Sequence, residues 1–266
     1  MNIKRRKMKQ FSIIIATYNA AETLYACLNS IRSQKAEEVE LIVVDGNSAD
    51  ATHEIVQENM DIIDIYIHEK DKGIYDAWNK GVKASCGEWI LFIGADDILC
   101  PDTISFYKDA LAKTDCTKID YVSAWVNYVD SSGRVFCRLG SAWNWKDFSK
   151  AMNVAHVASL HNRQLFDETG LFNLEYKICA DYEFLARKEN RLKTLFFEKV
   201  VAHMRMGGIS LSGKAIKETC KIANVHTKRS LFGRIALASE KYMYYYLFLI
   251  KIRIWRVFKH AYIFLV

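Results

Sequence analysis

The sequence predicts an α/β fold, a mostly parallel central sheet with helices on both faces, followed by a C-terminal helical tail. Two observations predict it. Short apolar, β-branched runs alternate with helix-periodic segments from residue 11 to about residue 115, and such alternation implies parallel strands joined by crossover helices. From Lys214 onward the pattern is helical and increasingly aromatic and basic. The expected division is therefore 1–213 for the α/β domain and 214–266 for the tail.

Residues 11–16 form a β-branched apolar run, as a strand buried on both faces requires. Asn19 and Glu22 make a capping-box pattern, with Leu24, Cys27, Leu28 and Ile31 at helical spacing beyond it. The second strand, residues 40–44, ends in Asp45; a loop over 46–50 leads to a helix through Ile55 and Val56. Residues 62–68 read as a third strand, 74–84 as a third helix, and 88–93 as a fourth strand ending in Gly94, Ala95, Asp96 and Asp97. Pro101 is expected in the first turn of the next helix, where its missing N–H costs little. Beyond residue 115, the segments 119–129 and 134–139 flank Asp130, Ser131, Ser132 and Gly133, a β-hairpin pattern. A helix follows over 181–187 and a late strand over 195–203.

Composition narrows the classes. The chain is 51% hydrophobic and 13% aromatic, enough for a core and the opposite of a disordered composition. The net charge of +6 concentrates at the ends, in Lys4, Arg5, Arg6, Lys7 and Lys9 and in Lys251, Arg253, Arg256 and Lys259. Seven cysteines without a C-x-x-C pair point to reduced, mostly buried thiols in a cytoplasmic protein. The apolar run after the basic N-terminus is too short for a secretion signal. No stretch reaches the roughly 18 uninterrupted apolar residues of a spanning helix. The expected location is cytoplasmic, either free or peripheral at the inner face of the cytoplasmic membrane.

The chemistry concentrates at strand ends. Asp96 and Asp97 follow a buried strand, and adjacent carboxylates repel unless a cation joins them. Mn2+ or Mg2+, which prefer oxygen ligands, would do so between a carboxylate and substrate phosphates. The plainer alternative is a solvated turn capping the next helix. Asp45 has the same address on the second strand, and open α/β sheets bind ligands at the carboxyl ends of their strands. For Asp45 too, a hydrogen-bonded turn remains an alternative.

Four runs carry a family resemblance: Ile13, Ile14, Ile15, Ala16, Thr17, Tyr18 and Asn19; Val43, Val44, Asp45, Gly46, Asn47 and Ser48; Lys72, Gly73, Ile74, Tyr75, Asp76, Ala77, Trp78, Asn79, Lys80 and Gly81; and Gly94, Ala95, Asp96 and Asp97. Together they resemble the family 2 glycosyltransferases, inverting, metal-dependent enzymes of the Rossmann-like GT-A fold. The match covers roughly residues 10 to 210, and its order and spacing make it more specific than any one motif. The resemblance implies a hexosyl- or N-acetylhexosaminyltransferase that builds bacterial surface polysaccharides. Its donor would be a nucleotide sugar, a uridine one by preference, and its acceptor a saccharide or polyprenyl-linked saccharide.

Roles follow residue by residue. Thr17, Tyr18 and Asn19 would line the nucleotide pocket, with Asp45 on the base or ribose. Asp71, Lys72 and Gly73 would approach the nucleotide sugar, Asp96 the ribose region, and Asp97 the metal. The usual D-x-D reads Ala95, Asp96, Asp97 here, leaving Asp97 as the main ligand. Cys179, Ala180, Asp181, Tyr182 and Glu183 match the place of the catalytic base, with Asp181 first and Glu183 in reserve. His156 matches an acceptor-side His-Gln segment in which Val157 replaces the glutamine. Arg205, Gly207 and Gly208 resemble the late loop that closes over the diphosphate.

The tail joins Tyr242, Tyr244, Tyr245, Tyr246 and Trp255 to basic residues. That composition suits an anionic membrane surface or, equally, an amphipathic helix packed on the catalytic body or in a dimer. Two other classes compete. A sugar-nucleotide nucleotidyltransferase would carry a Gly-rich basic loop after the first strand, where this chain has Ala16, Thr17, Tyr18 and Asn19. A non-catalytic membrane- or nucleotide-binding protein would use the basic ends without the aspartates. Nucleic acid is not expected as a partner, because carboxylates at a strand mouth repel a polyphosphate.

Overall fold

The computed structural model describes residues 7–258 apart from residue 209; Lys4, Arg5, Arg6 and Lys259 lie outside it. In chain order the strands are β1 (Lys9–Thr17), β2 (Val39–Asp45), β3 (Ile65–His68), β4 (Gly87–Gly94), β5 (Ile98–Leu99), β6 (Tyr121–Val129), β7 (Val135–Leu139), β8 (Leu160–Asn162) and β9 (Thr194–Arg205). The helices are α1 (Leu24–Arg32), α2 (Thr52–Glu58), α3 (Ile74–Ala84), α4 (Thr103–Ala112), α5 (Trp145–Phe148), α6 (Arg163–Thr169), α7 (Ala180–Ala186), α8 (Gly213–His226) and α9 (Leu231–Phe258).

One sheet runs in the order β3-β2-β1-β4-β8-β6-β9-β5, with β7 beside β6. Its first four strands are parallel, and β8 joins antiparallel to β4. Side chains alternate across a strand, and β1 uses both faces. Ile13 and Ile15 pack with Leu24, Cys27, Leu28 and Ile31 on one side, while Ile14 packs with Trp78 and Val82 on the other. Parallel strands covered by helices need this two-sided apolarity.

Several expectations change in detail. The third strand starts at Ile65, because Asp64 turns inward to accept the Leu41 N–H at 2.7 Å. Asn19 forms no capping box: α1 begins at Leu24, and the Asn19 side chain accepts the Ala49 N–H across the strand mouth instead. Pro101 precedes the helix cap, Asp102, which takes a left-handed conformation at φ 59°. All seven cysteines are free, but only Cys27 and Cys100 are buried. The hairpin turn closes on Asp130, whose Oδ1 accepts from the backbone of Ser132 and Arg134.

The tail is split in its attachments. On α8, Ile222 and Ala223 are fully buried, and Ile222 joins the cluster that holds Tyr182 and Phe184 of α7. On α9, Phe248 and Trp255 pack edge-on against Phe136 of β7, at 5.6 and 5.3 Å between ring centres. Phe232, Ile235, Met243, Leu247, Ile250 and Ile254 stay exposed. Among the described residues no helix is long and apolar enough to cross a membrane.

Candidate active site

The parallel strands end level with one another. Thr17 pairs with Asp45, Asp45 with His68, and Ala16 with Gly94. Neighbouring strands lie about 4.8 Å apart, so β1 to β4 deliver these ends to one crevice. Thr17 Oγ1 is buried there without a protein hydrogen-bond partner, which leaves it able to bond a ligand or water entering the crevice. Asn19, left-handed at φ 48°, takes Ser48 Oγ on its N–H at 2.8 Å and ties the β1 mouth to the β2 loop. Tyr18 projects into solvent at 64% exposure, its ring edge against Gly46.

Asp45 is fully buried, and both carboxylate oxygens are engaged. Oδ1 accepts from Ser48 N and Oγ at 3.0 and 2.6 Å. Oδ2 faces the Tyr66 hydroxyl at 3.1 Å and His68 Nδ1 at 2.8 Å. Burial first, then the Asp45 charge, raises the Tyr66 pKa, so the hydroxyl stays a donor. His53 completes the group, its Nδ1 2.9 Å from the Tyr66 hydroxyl. Sequence reading missed His53, Tyr66 and His68, although the β2–β3 register places His68 opposite Asp45.

Asp96 is exposed and Asp97 buried, and both carboxylates lie against the bare Cα of Gly94. A methyl group there would sit 2.8 Å from Asp96 Oδ1 and 2.8 Å from Asp97 Oδ2. Asp97 accepts from Gly94 N at 3.2 Å and from Arg205 N at 3.1 Å. Burial, then the neighbouring Asp96 charge, pushes its pKa up to about 7 against the pull of those two N–H donors. A pair of carboxylates under that strain fits a divalent cation. Among the described residues no three His, Cys, Asp or Glu side chains are placed to hold a metal ion together, so a cation here would draw its other oxygens from substrate and water. Gly94→Ala should displace both carboxylates and weaken nucleotide-sugar turnover about 100-fold, the scale of a 1 Å misplacement, with the melting temperature checked in parallel.

The Asp71–Gly73 segment borders the same crevice. Asp71 Oδ1 accepts the Gly73 N–H at 2.8 Å, and its Oδ2 lies against Gly46. Gly73 adopts φ 114°, a conformation that side chains resist, with open space where its Cβ would be. The backbone path into α3, rather than a steric neighbour, requires the glycine. Lys72 donates its N–H to Asp76 Oδ2 at 3.0 Å and is exposed.

Asp181 opens α7, and α3 holds it from across the site. The Tyr75 hydroxyl, two residues past Gly73, lies 2.9 Å from Asp181 Oδ1 and 2.6 Å from Ile178 O, its one proton shared between them. The Tyr182 N–H also reaches Oδ1, at 2.8 Å. Burial pushes the Asp181 pKa up to about 6 against these donors.

Two of the expected site residues have partners of their own. Glu183 takes Arg187 Nε and Nη2 on its two oxygens at 3.0 and 2.6 Å, an ion pair with the next turn. Arg187 also ties Thr169 O and Leu171 O, which makes the pair structural. His156 is in the core, stacked 4.9 Å from Trp78 and 5.4 Å from Phe92. Burial lowers its pKa to about 3, so it stays neutral. Arg205 ends β9 beside Asp97, followed by exposed Gly207 at φ 116° and exposed Gly208.

The fold and the site can be set beside known proteins. The chain matches the family model described as Glycosyl transferase family 2 over residues 12–153. It is 35% identical over 215 residues to a PGL/p-HBAD biosynthesis glycosyltransferase of Mycobacterium tuberculosis, covering 75% of this chain and 78% of that one. In structure it is similar to S. aureus TarS in complex with UDP-GlcNAc, with a TM-score of 0.62 at 19% identity over 87% of this chain and 71% of that one. The match spans 42% of a longer TarS chain. The mannosyltransferase PcManGT from Pyrobaculum calidifontis, in complex with GDP-Man and Mn2+, gives a TM-score of 0.60 at 16% identity over 88% of this chain and 70% of that one. These structural likenesses define the fold as a GT-A-like α/β fold. The chain belongs to glycosyl transferase family 2 and is a glycosyltransferase.

Proposed function

We propose that the chain transfers a sugar from a nucleotide diphosphate sugar to a hydroxyl of a saccharide or polyprenyl-linked saccharide, with inversion, in cell-surface polysaccharide assembly. The observation that carries this reading is the shared mouth, where Thr17, Asp45 and the Asp96–Asp97 pair end neighbouring parallel strands. A uridine donor draws support from the UDP-GlcNAc bound by TarS, and a guanosine one from the GDP-Man bound by PcManGT.

Thr17 and Tyr18 line the nucleotide pocket. Asp45, whose oxygens are all taken, serves the base or ribose through the Ser48 and His68 side chains it fixes. Asp71, Lys72 and Gly73 border the sugar diphosphate. Mn2+ or Mg2+, held by Asp97 with Asp96 beside it, would neutralise diphosphate charge. Asp181 accepts the acceptor hydroxyl's proton as that oxygen bonds to the anomeric carbon. The bond from that carbon to the diphosphate oxygen breaks, and the nucleoside diphosphate leaves with the bonding pair. Arg205 and the N–H groups of Gly207 and Gly208 suit the charge that collects on it.

The exposed apolar row on α9, with Phe232 at 84% exposure, supports a peripheral position on an anionic membrane. Arg234, Lys251 and Arg253 on the same helix suit anionic head groups. The region beyond residue 213 would then serve attachment as well as packing.

Calorimetry with UDP, GDP and dTDP, in Mn2+ and in EDTA, tests the donor site. Binding of one nucleotide that depends on the metal is expected. No binding of any of them under either condition would overturn the reading.

A further inference from the structure

The loop in front of the proposed base is held by a side chain from beyond the sheet. Glu218, on α8, takes three successive backbone N–H groups: Lys177 on Oε1, and Ile178 and Cys179 on Oε2, each at 2.9 Å. A run of N–H groups converging on one carboxylate fixes the backbone that carries them. Here that backbone leads directly into α7 and Asp181.

The chain of contacts continues inward. Ile178 gives its N–H to Glu218, and its carbonyl accepts from the Tyr75 hydroxyl at 2.6 Å. The same hydroxyl reaches Asp181 Oδ1 at 2.9 Å. Shifting the Ile178 peptide would thus move the carbonyl that competes with Asp181 for the Tyr75 proton. Cys179 adds a second tie to α8, its Sγ 3.6 Å from Ala215 O and 3.7 Å from Thr219 Oγ1. Neither link is needed to finish the sheet, whose strands all precede α8.

We propose that Glu218 is a positioning residue for sugar transfer: it holds the Lys177–Cys179 backbone so that the Tyr75 hydroxyl and the Asp181 carboxylate keep their mutual register. The proposal rests on Asp181 being the base. The titratable groups that face Asp181 are Tyr75 from α3, Tyr121 from β6, Cys179 from the preceding loop and Glu218 from α8. Of these, Glu218 is the carboxylate; after burial, which dominates, its charge adds a smaller push that raises the Asp181 pKa. Replacing it with an amide should shift the acidic limb of turnover to lower pH.

The test compares Glu218→Gln, Glu218→Ala and Asp181→Asn with the full-length wild type. Turnover of a nucleotide sugar is followed from pH 5 to 8, and UDP binding is measured by calorimetry. For Glu218→Ala, kcat is expected to fall on the order of 10-fold or more, as for loss of orientation at a reacting group. UDP affinity and the KM for the nucleotide sugar should stay within about 2-fold, on the premise that loss of a transition-state contact leaves ground-state binding alone. For Glu218→Gln, which keeps shape and one accepting oxygen, the loss should be smaller and the relative activity higher at pH 5 than at pH 8. A purely structural role would lower folded yield or melting temperature while leaving the pH profile in place, and that result overturns the proposal. Should Glu218→Ala fail to fold, the pH profile of Glu218→Gln decides. If Asp181→Asn keeps activity, the base assignment falls and the proposal with it. If Asp181→Asn is inactive while both Glu218 variants keep wild-type kcat and pH limb, the proposal alone falls.

Discussion

Asp97→Ala should abolish metal-dependent nucleotide binding and lower turnover on the order of 10³-fold, the scale for losing one electrostatic contact to developing charge. Calorimetry with the preferred nucleotide in Mn2+ reads the first effect, and initial rates at saturating donor read the second. The fold should survive. Asp97 is buried with a pKa of about 7, raised above the ordinary 3.8 by burial and by Asp96. A raised carboxyl contributes stability that is complete below its unfolded pKa and is lost as pH rises through the folded one. In EDTA, wild type should therefore lose stability between about pH 4 and 7, and the variant should lose less. Wild-type binding by Asp97→Ala in Mn2+ would remove Asp97 from the donor site.

Asp181→Asn should cut kcat by about 10² to 10⁴, the range for losing a general base, with UDP affinity unchanged. The asparagine can still accept from Tyr75 but cannot take a proton. In the wild type, activity should rise with pH through about 6, because the carboxyl pushed up to that value must be ionised to act. Stability runs the other way: the raised pKa favours the folded state at low pH, and the benefit fades between about pH 4 and 6. A pH–rate profile with no acidic limb near 6 would count against Asp181 as the base, as would an active Asp181→Asn enzyme.

The parallel half of the fold was legible because each strand there carries its own signal. Residues 11–16 and 40–44 are apolar runs interrupted only by Ser12 and Glu40 and buried on both faces, and they appear as β1 and β2 with one or two residues added at each end. The helix over 74–84 matches α3 in both bounds. β5 and β8 were not legible, since two- and three-residue strands such as Ile98–Leu99 and Leu160–Asn162 have no periodicity to read. Their pairing is decided by partners far along the chain, Ala202 and His203 for β5 and Trp89 to Leu91 for β8.

For the site, spacing located the acids but not their occupations. A carboxylate after an apolar strand reads the same whether it is saturated, as Asp45 is, or strained, as Asp97 is. Asp181 and Glu183 share one helical turn and the same local chemistry. Arg187, one turn on, pairs with Glu183, and Tyr75, on another helix, pairs with Asp181; neither partner is visible in the local sequence. His156 looked polar in sequence, yet its ring serves as an aromatic filler between Trp78 and Phe92. The cluster of His53, Tyr66 and His68 joins α2 to β3, and the β2–β3 pairing sets His68 opposite Asp45.

The burial of Ile222 and Ala223 under α7 has a consequence for how the protein comes into being. During synthesis the chain emerges from its N-terminus, and early elements can begin to fold before late ones exist. The sheet is complete in sequence once Arg205 has been made, but the apolar floor beneath the Asp181 helix is not closed until α8 follows. A nascent chain stopped short of Gly213 would expose that floor and be prone to adhere to other chains. Competence for catalysis therefore arrives late in translation, and a premature stop anywhere before α8 should yield a product that the cell clears instead of a slower enzyme.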